Sequence, residues 1–281
     1  MPRRLWSALL GRIKMMVTEP LVVNFGGGRN GTWLLKLMHD KGIMPDLIIF
    51  ANTGNEIPEV YQWIPQFNRI LSTWGFPQIL TVHATREGKK YTLRDHCQNT
   101  GLLPSLAYGK KSCSQKFKAA PIDKFINNWP TAKEAWDSGR KVTRFIGYHS
   151  GERHRMEKVL DRNREDTKFS WFYPLIEWGV SNEDCKNGCK DMGWVVSKSA
   201  CYFCPATKKG EILRLKQTHP DLFNDALQME KEAQSNHRVP IGLGGKGLFW
   251  ENVNSEDNSQ MKLWSWLDKN DPTPVPCGCF D

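Results

Sequence analysis

Two groups of residues in the chain are of types and spacings that do chemistry. Cys201 and Cys204 stand in CYFCP, the CxxC spacing that lets two thiolates converge on one metal or cluster. Far upstream, LVVNFGGGRNGTW (residues 21 to 33) is an apolar run that breaks into Gly26, Gly27 and Gly28, followed by Arg29, Asn30, Gly31 and Thr32. Glycines let backbone amides approach an anion, and a following helix N-terminus adds partial positive charge, so phosphate is the natural guest. The loop matches neither GxxxxGKS/T nor GxGxxG.

The elements that must position these groups follow from hydrophobic patterning. Leu21 to Phe25, Leu47 to Phe50 and Gln78 to Val82 read as buried parallel strands. Between the first two lies a helical pattern, Trp33 to Lys41, whose apolar face is Leu34, Leu35, Leu37 and Met38 and whose stop is Gly42. A second helix begins near Pro58 and ends at Gly75, and a further strand, Val142 to Ile146, ends in Gly147. Alternating strands and helices predict a doubly wound parallel α/β sheet, with the glycine loop at its carboxyl edge, where ligands bind in such folds. After residue 180 cysteines, glycines and tryptophans crowd in around an expected helix, Glu211 to Ala233. The expected organisation is an N-terminal extension (1–18), an α/β body (19–180) and a cysteine-rich C-terminal extension packed on it (181–281).

The chain has 281 residues, 25% of them charged and 40% hydrophobic, which suits a soluble globular protein and argues against wholesale disorder. No run approaches ~18 uninterrupted apolar residues, so no membrane span is expected and the cytoplasm is the expected location. The opening MPRRLWSALLGRIKMMV is basic and amphipathic but has no signal-type cleavage site, and reads as an appended helix or a leader. A net charge of +9 favours anionic partners, nucleotides or nucleic acid among them, although the lysine pairs are scattered and form no stripe. Six of the eight cysteines are grouped as CKNGC, CYFC and CGC, which points to metal or redox chemistry before a disulfide framework.

Five segments, in order, resemble a known family. GGGRNGT resembles the SGGxDS pyrophosphate loop of the adenine nucleotide alpha hydrolase (PP-loop) superfamily, and FANTGNEIPEVY the DTGxxFPET segment of phosphoadenosine phosphosulfate (PAPS) reductases. KSCSQKFKAAPIDKFI, FIGYHSGERHRM and FYPLIEW resemble their CCxxxKxxPLxxxL, GxRxxES and PLxxW segments. The resemblance covers about residues 21 to 180 and implies an adenine nucleotide (PAPS, adenylyl sulfate (APS) or ATP) held by Gly26, Gly27, Gly28, Arg29, Asn30, Thr32, Asn52, Thr53, Gly54 and Gly147. Lys118, Arg153 and Arg155 are the cations it offers for a phosphosulfate or polyphosphate. Asn30 and Asn52 stand where the family has carboxylates, so the loop supports binding better than ATP cleavage.

In APS reductases, relatives of the PAPS reductases, a CC pair joins a later CxxC to hold a [4Fe–4S] cluster. The resemblance therefore makes Cys113, Cys201 and Cys204 metal ligands, with the first cysteine of the pair replaced by Ser112. Cys185, Cys189, Cys277 and Cys279 are candidates for the fourth position, Cys279 foremost, and a zinc site is the alternative. Cys277, in PCGCF, overlays the C-terminal nucleophile of PAPS reductases and would act with a thioredoxin-like reductant. Cys97 has no partner at ligand spacing and reads as a core residue. The leading expectation is a sulfonucleotide reductase-like enzyme. The alternatives are ATP-dependent sulfur transfer to nucleic acid and a non-catalytic nucleotide-sensing or nucleic-acid-binding module.

Overall fold

The computed structural model describes residues 19–104, 112–235 and 241–253. Cys277 and Cys279 lie outside the described residues. Five parallel strands form the sheet: β1 (Leu21–Asn24), β2 (Leu47–Asn52), β3 (Ile79–His83), β4 (Val142–Ile146) and β5 (Phe169–Phe172), in the order β3-β2-β1-β4-β5. Strand β1 is central, pairing Val23 with Ile48 of β2 and with Phe145 of β4. Leu21, Val22 and Val23 are apolar without alternation because both faces are covered. Val23 faces α1 (Arg29–Asp40) and α2 (Pro58–Thr73) through Leu34, Leu35, Trp63 and Phe67. Val22 faces α4 (Ala120–Asn128) and α5 (Pro130–Asp137) through Ile122, Ile126, Ala132 and Ala135.

The chain winds outward from β1 to β3 and then returns to lay β4 on the other side of β1. The order reverses between β1 and β4, the switch point at which open α/β sheets bind ligands at their carboxyl ends. The doubly wound sheet thus stands as the sequence predicts. Its edge strand β5 was not foreseen, since FSWF is short and only Phe169 is buried.

Beyond the sheet, α6 (Asn182–Asp191) packs on α1 with Cys185 in the shared core. Gly188 makes that approach possible, because a Cβ there would collide with the Trp33 indole. The single helix expected from Glu211 to Ala233 is two, α7 (Lys209–Thr218) and α8 (Pro220–Gln234). Pro220 cannot continue a helix from its N-terminal side but fits the first turn of a new one. With α3 (Leu93–Thr100), α7 and α8 enclose a second core of Leu93, Phe203, Ile212, Phe223 and Trp250. No described helix is long and apolar enough to cross a membrane.

Candidate functional site

The glycine loop joins β1 to α1, and its composition is set by space. Gly27 has φ +83°, and a Cβ there would stand 2.7 Å from Val60 Cγ1. At Gly28, the N-cap of α1, a Cβ would stand 2.9 Å from the backbone nitrogen of Ser199, in the segment that leads to the CxxC. Gly28, Arg29 and Asn30 line a cleft of about 180 Å³ with His149, Lys198 and Lys208 on the facing walls.

Three helices of ten or more residues begin at this cleft. They are α1 at Arg29, α6 at Asn182 and α7 at Lys209, with Lys208 as the N-cap of α7. Each N-terminus carries about half a positive charge, so with Arg29, Lys198 and Lys208 the cleft suits a polyanion. Its two carboxylates are already engaged. Glu211 accepts a hydrogen bond from the Lys208 backbone amide at 3.0 Å and pairs with Lys198 at 3.2 Å. Glu152 is buried, pairs with Arg155 and stands 3.4 Å from His149 Nε2. Burial holds the His149 imidazole below its ordinary pKa.

The predicted ligands of the nucleotide divide. Gly26 to Gly28, Arg29 and Asn30 form the loop and the start of α1, and Gly147 is buried just past β4. Thr32 is turned into the core, where its hydroxyl accepts from Trp63 Nε1 at 3.0 Å. Arg155 is held by Glu152, its guanidinium 3.8 Å from the centre of the Tyr148 ring, and Arg153 is exposed. Lys118 lies elsewhere. It is buried on a π-helical turn, Gln115–Ala119, and pairs with Glu56 Oε1 at 2.9 Å. Lys118, expected among the cations for a phosphosulfate or polyphosphate, stands instead in the thiol pocket, paired with Glu56. Lys198 and Lys208 were missed, because they approach from a segment some 170 residues away that no local pattern ties to the loop.

A second locus forms past β2. Asn52 Oδ1 accepts from the Gly54 amide at 2.7 Å and from the Tyr61 hydroxyl at 2.9 Å, which fixes the turn. Thr53 Oγ1 is 3.2 Å from Cys201 Sγ, and Glu56 and Cys201 face each other across an antiparallel bridge. Cys113, Cys201 and Cys204 line one pocket with Thr53, Leu93 and Lys118. Burial, helped by the Glu56 carboxylate, pushes the Cys201 thiol well above its ordinary pKa, while Lys118 and Thr53 oppose that shift. Behind Cys201, Glu56 Oε2 is buried without a hydrogen-bond partner. Among the described residues no three His, Cys, Asp or Glu side chains stand at metal-binding spacing, so the three thiols share a pocket without converging.

Cys185 and Cys189 are not part of that pocket. They lie in the α1–α6 contact, Cys189 Sγ reaching the Arg29 carbonyl at 3.9 Å, and burial raises their thiols to about 12 and about 11. Neither is placed to complete a ligand set with Cys201. Cys97, read as a core residue, is buried in the same hydrophobic cluster that Cys113 and Cys201 join.

The two loci are close along the chain. Ser199 abuts Gly28, and Cys201, two residues later, bonds to Thr53. Two residues of extended chain span at most ~7 Å. Anion cradle and thiol pocket are thus neighbours on one edge of the sheet.

No protein family model matches the chain. Among curated proteins it is similar to two uncharacterized proteins of Methanocaldococcus jannaschii. One is 24% identical over 243 residues, covering 83% of this chain and 46% of the relative; the other is 22% identical over 209 residues, covering 72% and 45%. The chain spans about half the length of these relatives. Among solved structures it is distantly similar to the U34-tRNA thiolase NcsA from Methanococcus maripaludis with its [4Fe-4S] cluster, at a TM-score of 0.41 and 12% identity, covering 88% of this chain and 80% of that one.

Proposed function

We propose that the protein is an ATP-dependent sulfur transferase that activates a nucleic-acid acceptor at the glycine-loop cleft and thiolates it at the Cys113–Cys201–Cys204 pocket. The observation that carries this reading is the Ser199–Cys201 link, which sets a polyanion cradle beside three thiols. In the reaction an acceptor oxygen attacks the α-phosphorus of ATP and pyrophosphate leaves; a sulfide-level donor then forms the carbon–sulfur bond and AMP departs with the oxygen. No net oxidation is needed.

The chain's own residues divide the work. Backbone amides of Gly27 and Gly28 and the side chains of Arg29, Lys198 and Lys208 hold the polyphosphate and stabilise charge on the departing pyrophosphate. Asn30 replaces a carboxylate, which removes one repulsion from that anion. Cys113, Cys201 and Cys204 line the pocket in which the sulfur step would run, and as placed they do not stand at the spacing of a metal site. Lys118 supplies a buried positive charge beside those thiols, and its partner Glu56 fixes where it stands.

The test combines calorimetry with product analysis. Anaerobically purified protein is expected to bind ATP and to release AMP and pyrophosphate only when nucleic acid and sulfide are both present. Absence of any affinity for adenine nucleotides would sink the reading. Sulfite release from PAPS with a thioredoxin-like reductant, abolished by Cys277→Ser, would replace it with sulfonucleotide reduction.

A further inference from the structure

The sheet edge that carries the cysteine pocket also carries a concentration of exposed positive charge. After β3 the chain makes a tight hairpin, Thr85–Arg86 paired with Lys89–Lys90, turned by Glu87 at φ +53° and Gly88 at φ +76°. Arg86, Lys89 and Lys90 are exposed on it, and Lys116 is exposed on the π-helical turn that follows Cys113. An aromatic seam joins hairpin to turn: the Tyr91 ring lies 6.0 Å from that of His96, and the His96 ring 5.5 Å from that of Phe117. Arg86 sits over the Tyr91 ring at 5.5 Å.

These charges act on one another. The His83 imidazole is held below its ordinary pKa by burial and by Lys90, and that of His96 by burial and by Lys116 and Arg86. His96 thus lies in the field of both the hairpin and the turn. Two carboxylates lie nearby: Glu87 is 3.8 Å from Arg86, and Asp95 is occupied in capping α3 with Thr92.

The hairpin is also fastened to the site. Tyr91 donates its backbone amide to the Ala84 carbonyl at 2.9 Å, and Leu93, two residues on, donates to the Thr53 carbonyl at 3.0 Å and lines the thiol pocket. A strand lying on the hairpin would therefore run past the mouth of that pocket.

Resting on the sulfur-transfer reading, we infer that the Arg86–Lys90 hairpin and Lys116 form the surface that grips the phosphodiester backbone of the acceptor strand beside the thiol pocket. Lys89, Lys90 and Lys116 supply point charges to phosphates, and Arg86 over Tyr91 presents a guanidinium to either a phosphate or a base face. Most of such affinity is electrostatic and salt-dependent.

The experiment uses the full chain and two fluorescent 20-nucleotide probes of one sequence, single-stranded RNA and single-stranded DNA, titrated across a range of salt. The triple variant Arg86→Gln, Lys89→Gln, Lys90→Gln is compared with a charge-matched control, Lys133→Gln, Lys158→Gln, Lys190→Gln, exposed elsewhere. ATP affinity and circular dichroism serve as folding readouts. The triple variant is expected to bind at least about tenfold more weakly and to lower the slope of log K against log salt by about 2, at roughly 0.7 to 0.9 per phosphate contact. The control should change neither. Loss on both probes supports backbone gripping common to both strands, and loss on RNA alone supports it with RNA as the acceptor. An unchanged slope, or an equal loss in the control, overturns the surface while the sulfur-transfer reading stands. Failure of the unmodified chain to bind either probe removes the surface and the nucleic-acid acceptor together, and ATP binding then reports on the cleft alone.

Discussion

Ser199 presses its backbone nitrogen against the open face of Gly28, leaving no room for a methyl group between them. A Gly28→Ala chain must therefore push the Ser199 segment off the loop. Overpacking of this kind costs ~1–3 kcal/mol. Because the displaced backbone is the one that carries Cys201, the variant should lose nucleotide affinity and alter the reactivity of the thiol pocket together. Calorimetry with ATP and thiol labelling of the native protein check both, and a change in only one would break the proposed connection.

The cations that face the cleft differ from those the family pattern suggests. Lys198→Met and Lys208→Met are each expected to weaken ATP binding about tenfold, or ~1.4 kcal/mol. Arg153→Ala, which removes an exposed side chain, should leave it within twofold. Dissociation constants for the three variants decide the matter.

Glu56 and Lys118 form an ion pair with both side chains almost wholly buried. Breaking it by Glu56→Gln leaves an ammonium group without its carboxylate and should cost ~3–5 kcal/mol in urea unfolding. The double variant Glu56→Leu, Lys118→Met should recover most of that stability. It should not recover sulfur chemistry, since the positive charge beside Cys201 is gone.

The thiols of Cys97 and Cys185 are raised by burial from near 9 to about 12. The folded chain therefore keeps these protons at pH values where the unfolded chain has lost them. Stability from this source is complete below pH 9 and is lost as pH rises from 9 toward 12, at up to ~1.4 kcal/mol per unit for each thiol. Unfolding followed by circular dichroism should show that alkaline fall, and Cys185→Ala should make it shallower.

The sheet was readable in the sequence because its strands are buried on both faces. LVV and LIIFA are apolar without interruption, and Gly42 and Gly75 end the helices that follow the first and second strands. Strand β5 escaped notice because an edge strand with one buried residue leaves little pattern. Pro220 breaks the helix although the apolar periodicity runs on through α7 and α8. At the site, the loop residues Gly26 to Asn30 could be located because turn chemistry is local. The partners of Lys118 and Thr32 could not be, since Glu56 and Trp63 meet them only through the folded core. Lys198 and Lys208 reach the cleft by tertiary placement alone.

The three helix starts at the cleft belong to stretches of chain opened by Arg29, Asn182 and Lys209. All five strands are complete by Phe172, so the ribosome has made the whole sheet before two of those starts exist. A polyanion bound there would hold helices made after the sheet against the helix made just after its first strand, and so act as a clasp between early and later segments. ATP should accordingly raise the melting temperature by mass action and slow amide exchange in 182–218 more than in the strands. Occupancy of the cleft would, in that sense, join early-made and later-made segments of the chain.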